Sequence, residues 1–584
     1  MGNSYITFAN GYTDRSKSQT MSPTNSSMPV ASISKLFTTL AILQLYEQNK
    51  LNFDTDVNKY LKGFKITSPF SRPITIHNLL THTAGFDDKF LKMGAPSLNE
   101  VISLEKYLSE NLPKIVYPPG YTVSYSNHGF ALLGHLIENL SNLSFGDYVK
   151  KFIFDPLEMK NSSFDGSIPS GTIRPKGYYH ILSAEREAYQ DYALTQPASS
   201  LCTTAEDFSH FLLMLTNEGK YKGKQILNPT TIKMMFIPRY KFNPTLPGYS
   251  CAWEENHISG RRAFQHTGLT WGFSSLCLFI PEEKLGLFVC INSDKNALIW
   301  ELTNILISRL STPRKPISKL RVNRKEVAPE IYKQITGFYR FNRYCRNDIF
   351  RLATLFPSLS HEIYVKGDFE EKKLHIYPLE YGATPWALEE IGDFLWGKKS
   401  KSYQATPTMT ITPAQNLGEW QVIFGNNAYE AITFVDSKPF KYALLFSSLT
   451  IFFLNLIKTV VKILKKIFAK SYRFSYNYAE LLSILFIIYS AVFIFYLFLT
   501  INPQVLGYGI PFGLFTLIIL SFVLLGITIV ISIKCLIKSS PSFSENITSL
   551  LTISGCVAFL YLMYNTNILD LKLSFLKFLN LGYF

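Results

Sequence analysis

The sequence predicts a three-part chain: an α+β domain over residues 1–310, a small all-β domain over 331–437, and a helical membrane domain over 438–584. Three observations predict it. Up to about residue 310, helical periodicity ("VISLEKYLSENL", "AEDFSHFLLMLTNEG") is mixed with short apolar runs. From 331 to 437, short aromatic and β-branched runs alternate with turns ("ITGFYRF", "KLHIYPLEYG", "WQVIFG"). Beyond Pro439, uncharged runs appear that are long enough to cross the roughly 30 Å hydrocarbon core of a bilayer. At 584 residues the chain is also too long for one ordinary domain.

Taken in order, "SSLCLFIPEEKLGLFVCINS" reads as two strands about a Pro-Glu-Glu-Lys turn, which gives the first part its sheet. Residues 311–330 carry three prolines together with Arg314, Lys315, Lys319, Arg321, Arg324 and Lys325, the composition of a solvated linker. In the last part, residues 481–501 and 510–533 are charge-free spans, and 547–564 is at the short end of spanning length. Residues 442–457 reach that length only if Lys458 snorkels and the helix continues through Val461, so three or four spans are expected. Lys458, Lys462, Lys465, Lys466, Lys470 and Arg473 follow the first candidate, whereas "NPQVLGYG" between the next two is uncharged. The positive-inside rule makes the basic loop cytoplasmic, with Lys534 and Lys538 on the same side. If the first candidate spans, the preceding domains lie outside the cell; if it lies in the interface, they lie inside. The absence of a leader before residue 1 argues for the inside.

The net charge of +15 does not mark a nucleic-acid protein, because much of the excess lies in "STPRKPISKLRVNRK" and the last third, without stacking aromatics or a finger motif. Seven scattered cysteines with no C-x-x-C pair indicate neither a disulfide framework nor a zinc knuckle. "HNLLTH" (His77, His82) lacks the glutamate of H-E-x-x-H and reads as structural, as do His128 and His135. No metal or other cofactor is indicated.

Chemistry is suggested at "ASISKLFTTLAIL". A serine needs a base to become a nucleophile, and three residues along a helix puts Lys35 on the same face as Ser32. The following segment is apolar nearly all round, so the helix is buried and the lysine amine partly desolvated, which lowers its pKa toward a useful base. S-x-x-K alone is weak, since "SLEK" (Ser103 to Lys106) fits it too. The pattern gains partners in Tyr125-Ser126-Asn127, the only Y-x-N, and His266-Thr267-Gly268, the only H-T-G. A phenol can shuttle the serine's proton, an amide can orient a substrate carbonyl, and a strand edge opened by Gly268 can take an extended substrate. Read singly, Asn127 would cap a helix and His266 would be structural.

The ordered set S-x-x-K, Y-x-N and H-T-G resembles the penicillin-binding protein and class C β-lactamase family of serine hydrolases, over about residues 5–305. "ITIHNLLTHTAGF", "YPPGYTVSYSN" and "PASSLCTTAEDFSHFLLML" agree with it. The resemblance implies a β-lactamase/D,D-peptidase-like fold, an antiparallel sheet flanked by helices. It also implies that Ser32 is the acylated nucleophile, Lys35 its proton partner and Tyr125 the general base or relay. Asn127 would contact substrate, His266 and Thr267 would line the strand edge, and the N–H groups of Ser32 and Leu269 would form the oxyanion hole. The implied substrate is a peptide or ester, cell-wall peptides among the candidates. The alternative is a penicillin-recognising or ligand-sensing protein without efficient turnover. His266 stands where many β-lactamases have lysine and is more typical of D,D-peptidase-like and esterase-like members, so antibiotic hydrolysis is not the expected task. The segment after the linker resembles the small lipocalin-like domain that often follows this fold, with "ITGFYRF" as first strand. Family members usually carry a secretion signal, a first helix and a first strand ahead of the equivalent of "YITFANGYTD". The expectation is therefore a sheet short of one edge element, or a start upstream of Met1. Because the family's usual chemistry is extracytoplasmic, an outside location is expected.

Overall fold

Strand alternation sorts the first part into layers. In the computed structural model, four antiparallel strands, Glu254–Ile258, Arg261–Thr270, Phe273–Ile280 and Leu285–Ile291, lie side by side in chain order. The structure describes residues 4–310, 325–468 and 512–565, apart from short interruptions at 182–183, 259, 348, 356–359, 381–382, 393, 401–402, 414–419 and 538–542, and a few residues within 481–489. Successive side chains point to opposite faces of a strand. Phe288 accordingly stacks on Phe208 of the helix Ala205–Thr216, at 3.9 Å between rings, while Leu287 packs with Ile307 of the helix Asn296–Leu310. The expected hairpin at Pro-Glu-Glu-Lys is present. A 3-10 turn, Pro281–Glu283, is closed by Lys284 at φ 50°.

The helix Ser34–Glu47 is buried through nearly its whole circumference, as its apolar sequence requires. Phe37 anchors it in an aromatic cluster with Phe154, Phe164, Phe208 and Phe211. Leu36, Leu40 and Leu43 join the same core, which also holds Phe130, Leu133 and Ile137 of the helix Asn127–Ser141.

Residues 337–432 form eight antiparallel strands in up-and-down order, and the first, Gly337–Phe341, pairs with the last, Asn427–Ile432, to close a barrel. Eight strands leave an interior just wide enough for side chains to fill. Here Tyr339, Val365, Leu374, Ile376, Trp396, Met409 and Val422 fill it, all buried. The barrel is consistent with the lipocalin-like expectation, and these side chains form its core.

Among the described residues, three helices are long and apolar enough to cross a membrane: Lys438–Phe468, Thr516–Leu536 and Asn546–Asn565. The first runs unbroken for 31 residues, well past Val461. It is joined to the last by polar contacts, Asn455 Nδ2 to Thr552 Oγ1 at 2.9 Å and Lys458 Nζ to Thr548 Oγ1 at 2.5 Å. Most of the span expected at 481–501 lies outside the described residues.

Candidate active site

The chain enters the site along Met28–Pro29, which pairs with Cys202–Thr203, and Val30 N–H donates to Leu201 O at 3.0 Å. It then turns sharply. Ala31 takes φ 47°, a left-handed conformation that costs a non-glycine residue about 1–3 kcal/mol and persists only where the surroundings impose it. Ser32 sits in the single 3-10 turn Ala31–Ile33, and the α-helix begins at Ser34. The sequence placed Ser32 and Lys35 on one helix; the structure keeps them adjacent across the turn–helix junction. Lys35 Nζ lies 3.0 Å from Ser32 Oγ, 2.8 Å from Asn127 Oδ1 and 2.9 Å from Ala198 O.

Asn127 can reach Lys35 because it does not cap its helix. Ser126 does so, accepting from Gly129 N–H at 3.0 Å. Expected to contact substrate, Asn127 places its oxygen on the lysine. Tyr125 precedes them, with Lys35 Nζ 4.8 Å from the centroid of its ring. Its ring stacks on His82 at 4.2 Å, and His82 Nδ1 accepts from Ser126 N–H at 3.1 Å. His82 thus supports the tyrosine from behind, and His128 is tied to Tyr107 Oη at 2.9 Å.

On the other side, the strand Arg261–Thr270 pairs with Glu254–Ile258 only as far as Gln265, leaving the flank of His266 to Thr270 without that partner strand. His266 is buried and its Nδ1 is 2.7 Å from Thr267 O, so it donates to that carbonyl and is held as the Nδ1–H tautomer. Gly268 is required here, since a Cβ would come within 2.1 Å of Val30 O and 2.3 Å of Ser275 Oγ. Ser275 Oγ in turn donates to Val30 O at 2.9 Å, so the strand and the segment carrying Ser32 are locked together. Leu269, the next residue, is 54% exposed. Gly268→Ala is therefore expected to push Val30 and Ser32 out of register and slow acylation about 10²-fold, the scale of a 1 Å misplacement. Stopped-flow acylation by an activated ester measures it, and a wild-type rate would show that the close approach has no consequence.

Burial dominates the electrostatics. It holds the Lys35 amine well below the usual lysine value, helped by the nearby Arg343 cation and opposed by Asp88. It raises the Tyr125 phenol, which Arg343 and Ser32 partly offset. It lowers His266 to about 3, with Lys35 contributing, so that this imidazole is neutral. By contrast, the Ser103 motif is a helix cap: Ser103 Oγ accepts from Lys106 N–H at 3.3 Å.

Sequence reasoning missed Arg343 and Asp88. Arg343 belongs to the barrel, and its guanidinium lies 4.3 Å from the centroid of the Tyr125 ring, with Nε donating to Asp88 Oδ2 at 3.2 Å. The acidic pair in "AGFDDKF" was the only local hint, and it says nothing of a partner 255 residues away.

Comparison with known proteins places this chain among relatives. The family model described as Beta-lactamase matches residues 2–308. "Protein flp" of Staphylococcus aureus (strain N315) is 27% identical over 299 residues, covering 50% of this chain and 57% of that protein. "Beta-lactamase-like protein 2" of Dictyostelium discoideum is 29% identical over 220 residues, covering 36% of this chain and 38% of that protein. The chain thus spans little more than half the length of the first of these relatives. Among solved structures, the crystal structure of SurE shares the fold at a TM-score of 0.50 and 19% identity, covering 73% of this chain and 92% of that one.

Proposed function

This chain belongs to the beta-lactamase family of serine hydrolases, and on that basis we propose that it is a membrane-anchored hydrolase that forms an acyl-enzyme at Ser32 with a peptide or ester substrate. One observation carries the reading: the three partners of Lys35 Nζ. Asn127 Oδ1 and Ala198 O can only accept, so they take two N–H bonds. A neutral amine then has its lone pair left for the third direction, and Ser32 O–H donates into it. Ser32 Oγ attacks the substrate carbonyl as its proton passes to Lys35. The tetrahedral oxyanion would be met by the N–H groups of Ser32 and Leu269. The Tyr125 phenol, kept protonated by its raised pKa, acts as relay, handing a proton to the leaving group as the C–O or C–N bond breaks. His266, neutral and tied to its own strand, borders the site and acts on substrate binding with Thr267.

Intact-protein mass spectrometry after exposure to a penicillin and to an activated ester tests the proposal. A mass increase that maps to Ser32 is expected from the ester, and a lasting adduct without product release would favour the sensing alternative over turnover. Absence of any Ser32 adduct would defeat both.

The same proposal includes sidedness. The helix Lys438–Phe468 is joined by hydrogen bonds to the helix Phe543–Asn565, which supports a spanning member of a bundle over an interfacial one. Its C-terminal end, which carries Lys462, Lys465 and Lys466, is then cytoplasmic and the hydrolase and barrel are outside. Protease added to intact cells should remove the first 430 or so residues; full protection would overturn this placement.

A further inference from the structure

The family likeness puts a lysine in many β-lactamases where this chain has His266, and that imidazole is buried and neutral, so the strand edge carries no cation at this position. A cation reaches Tyr125, whose ring lies 6.3 Å from that of His266, from another part of the chain. Residues 342–347 leave the first barrel strand and lie against the hydrolase residues around Tyr125. Four bonds seat them there. Asn342 Nδ2 donates to Val123 O at 2.6 Å, Arg346 Nη1 to Asp87 Oδ1 at 3.1 Å, Arg346 N to Asp87 Oδ2 at 3.0 Å, and Asn347 Nδ2 to Asp87 Oδ2 at 2.8 Å. Behind them Glu430 of the last barrel strand receives Arg346 at 3.0 Å and Tyr344 Oη at 2.6 Å, and Tyr117 of the hydrolase bonds the same carboxylate.

The loop so anchored presents Arg343. Its Nε is taken by Asp88, its plane covers Tyr125, and its side chain is 34% exposed. Among the described residues no hydrogen bond is found to its two terminal nitrogens, the pair of donors that matches a carboxylate. Glu254, a second acid that this charge reaches, is held above its usual value by burial and accepts from Tyr249 Oη at 3.4 Å, so it competes weakly for the guanidinium.

We propose that Arg343 is the carboxylate-binding residue of the Ser32 site, so that the barrel completes the specificity pocket and the preferred acyl donors are peptides or esters bearing a free carboxylate. This rests on the acyl-enzyme reading above and deepens it. A guanidinium fixed at Nε and open at both terminal nitrogens can take a carboxylate in two parallel hydrogen bonds, beside the tyrosine whose ring also faces Lys35.

The test uses the full-length protein in detergent and a pair of thioester acyl donors identical except that one ends in a carboxylate and the other in the carboxamide. Wild type is expected to favour the carboxylate by about tenfold or more in kcat/KM, and Arg343→Gln to abolish that preference. Arg343→Lys, which keeps the charge without the fork, should retain part of it. Equal losses on both donors would show that Arg343 only seats the loop, and gains on both would show that it obstructs the cleft; either overturns the proposal. Fluorophosphonate labelling of Ser32 in each variant separates the two levels. Labelling without discrimination refutes the role of Arg343 alone, whereas no labelling in wild type refutes the acyl-enzyme reading beneath it.

Discussion

Replacing Ser32 by alanine is expected to abolish covalent labelling by a fluorophosphonate or β-lactam probe while leaving the protein folded. Ser32 lies in a one-turn 3-10 element and is only partly buried, so losing its hydroxyl removes the nucleophile and little packing. Lys35→Ala should slow acylation about 10³-fold, within the range of general-base contributions. The double variant should be no slower than Ser32→Ala, because the two act as a unit. The wild-type rate should also climb with pH in a range well below 10.5, as the depressed Lys35 amine loses its proton, and Lys35→Ala should lack that limb. Folding shares the sign: between the lowered folded value and 10.5 the unfolded chain holds the extra proton, so stability rises with pH across that window. Ser103→Ala offers the contrast. It removes a helix cap worth about 1 kcal/mol and should leave turnover intact. Labelling that survives in Ser32→Ala, or turnover lost in Ser103→Ala, would mean that the nucleophile has been misassigned.

Those pairs were legible because local geometry brings them together. Three residues of separation keep Ser32 beside Lys35 whether the turn is α or 3-10, and period-two alternation already implied the Glu-Lys hairpin and the barrel strands. The left-handed Ala31 was not legible, because Val30 beside it is held by Gly268 and Ser275, from two strands more than 230 residues away. Ala198 was missed for another reason. Its carbonyl is the third partner of Lys35, and every residue carries a carbonyl. Asn127 was misread in part: Ser126 and Asn127 both suit an N-cap, and only tertiary packing assigns the cap to the serine and frees the amide for Lys35. Arg343 carried no signal at all, since a cation in the loop "FNRYCRN" of a second domain is ordinary until folding sets it on Tyr125.

A second large effect is expected where the barrel meets the first membrane helix. Arg340 and Glu362 are an ion pair on adjacent barrel strands, Nε to Oε1 at 2.8 Å, with side chains 1% and 0% exposed. The pair also fastens the helix. Glu362 Oε2 accepts from Lys438 N–H at 2.9 Å, and Arg340 Nη2 donates to Asp436 O at 2.6 Å. Glu362→Ala leaves the guanidinium buried without its counter-charge and the start of the helix Lys438–Phe468 without an acceptor, a loss of about 3–5 kcal/mol for one partner of such a pair. A paired replacement, Arg340→Met with Glu362→Leu, removes both charges and should cost much less, since the desolvation penalty of each goes with it. Unfolding of the detergent-solubilised protein, followed by the accessibility of barrel cysteine Cys345, which is buried in the folded chain, reads the difference. A single variant within about 1 kcal/mol of wild type, or a double as damaged as the single, would show that this junction is held by packing and not by the charge pair. Arg340 lies three residues before Arg343 on the same piece of chain, so a loosened pair should also unseat the loop at Tyr125. Glu362→Ala is then expected to erode discrimination among acyl donors at Ser32 although it touches none of them.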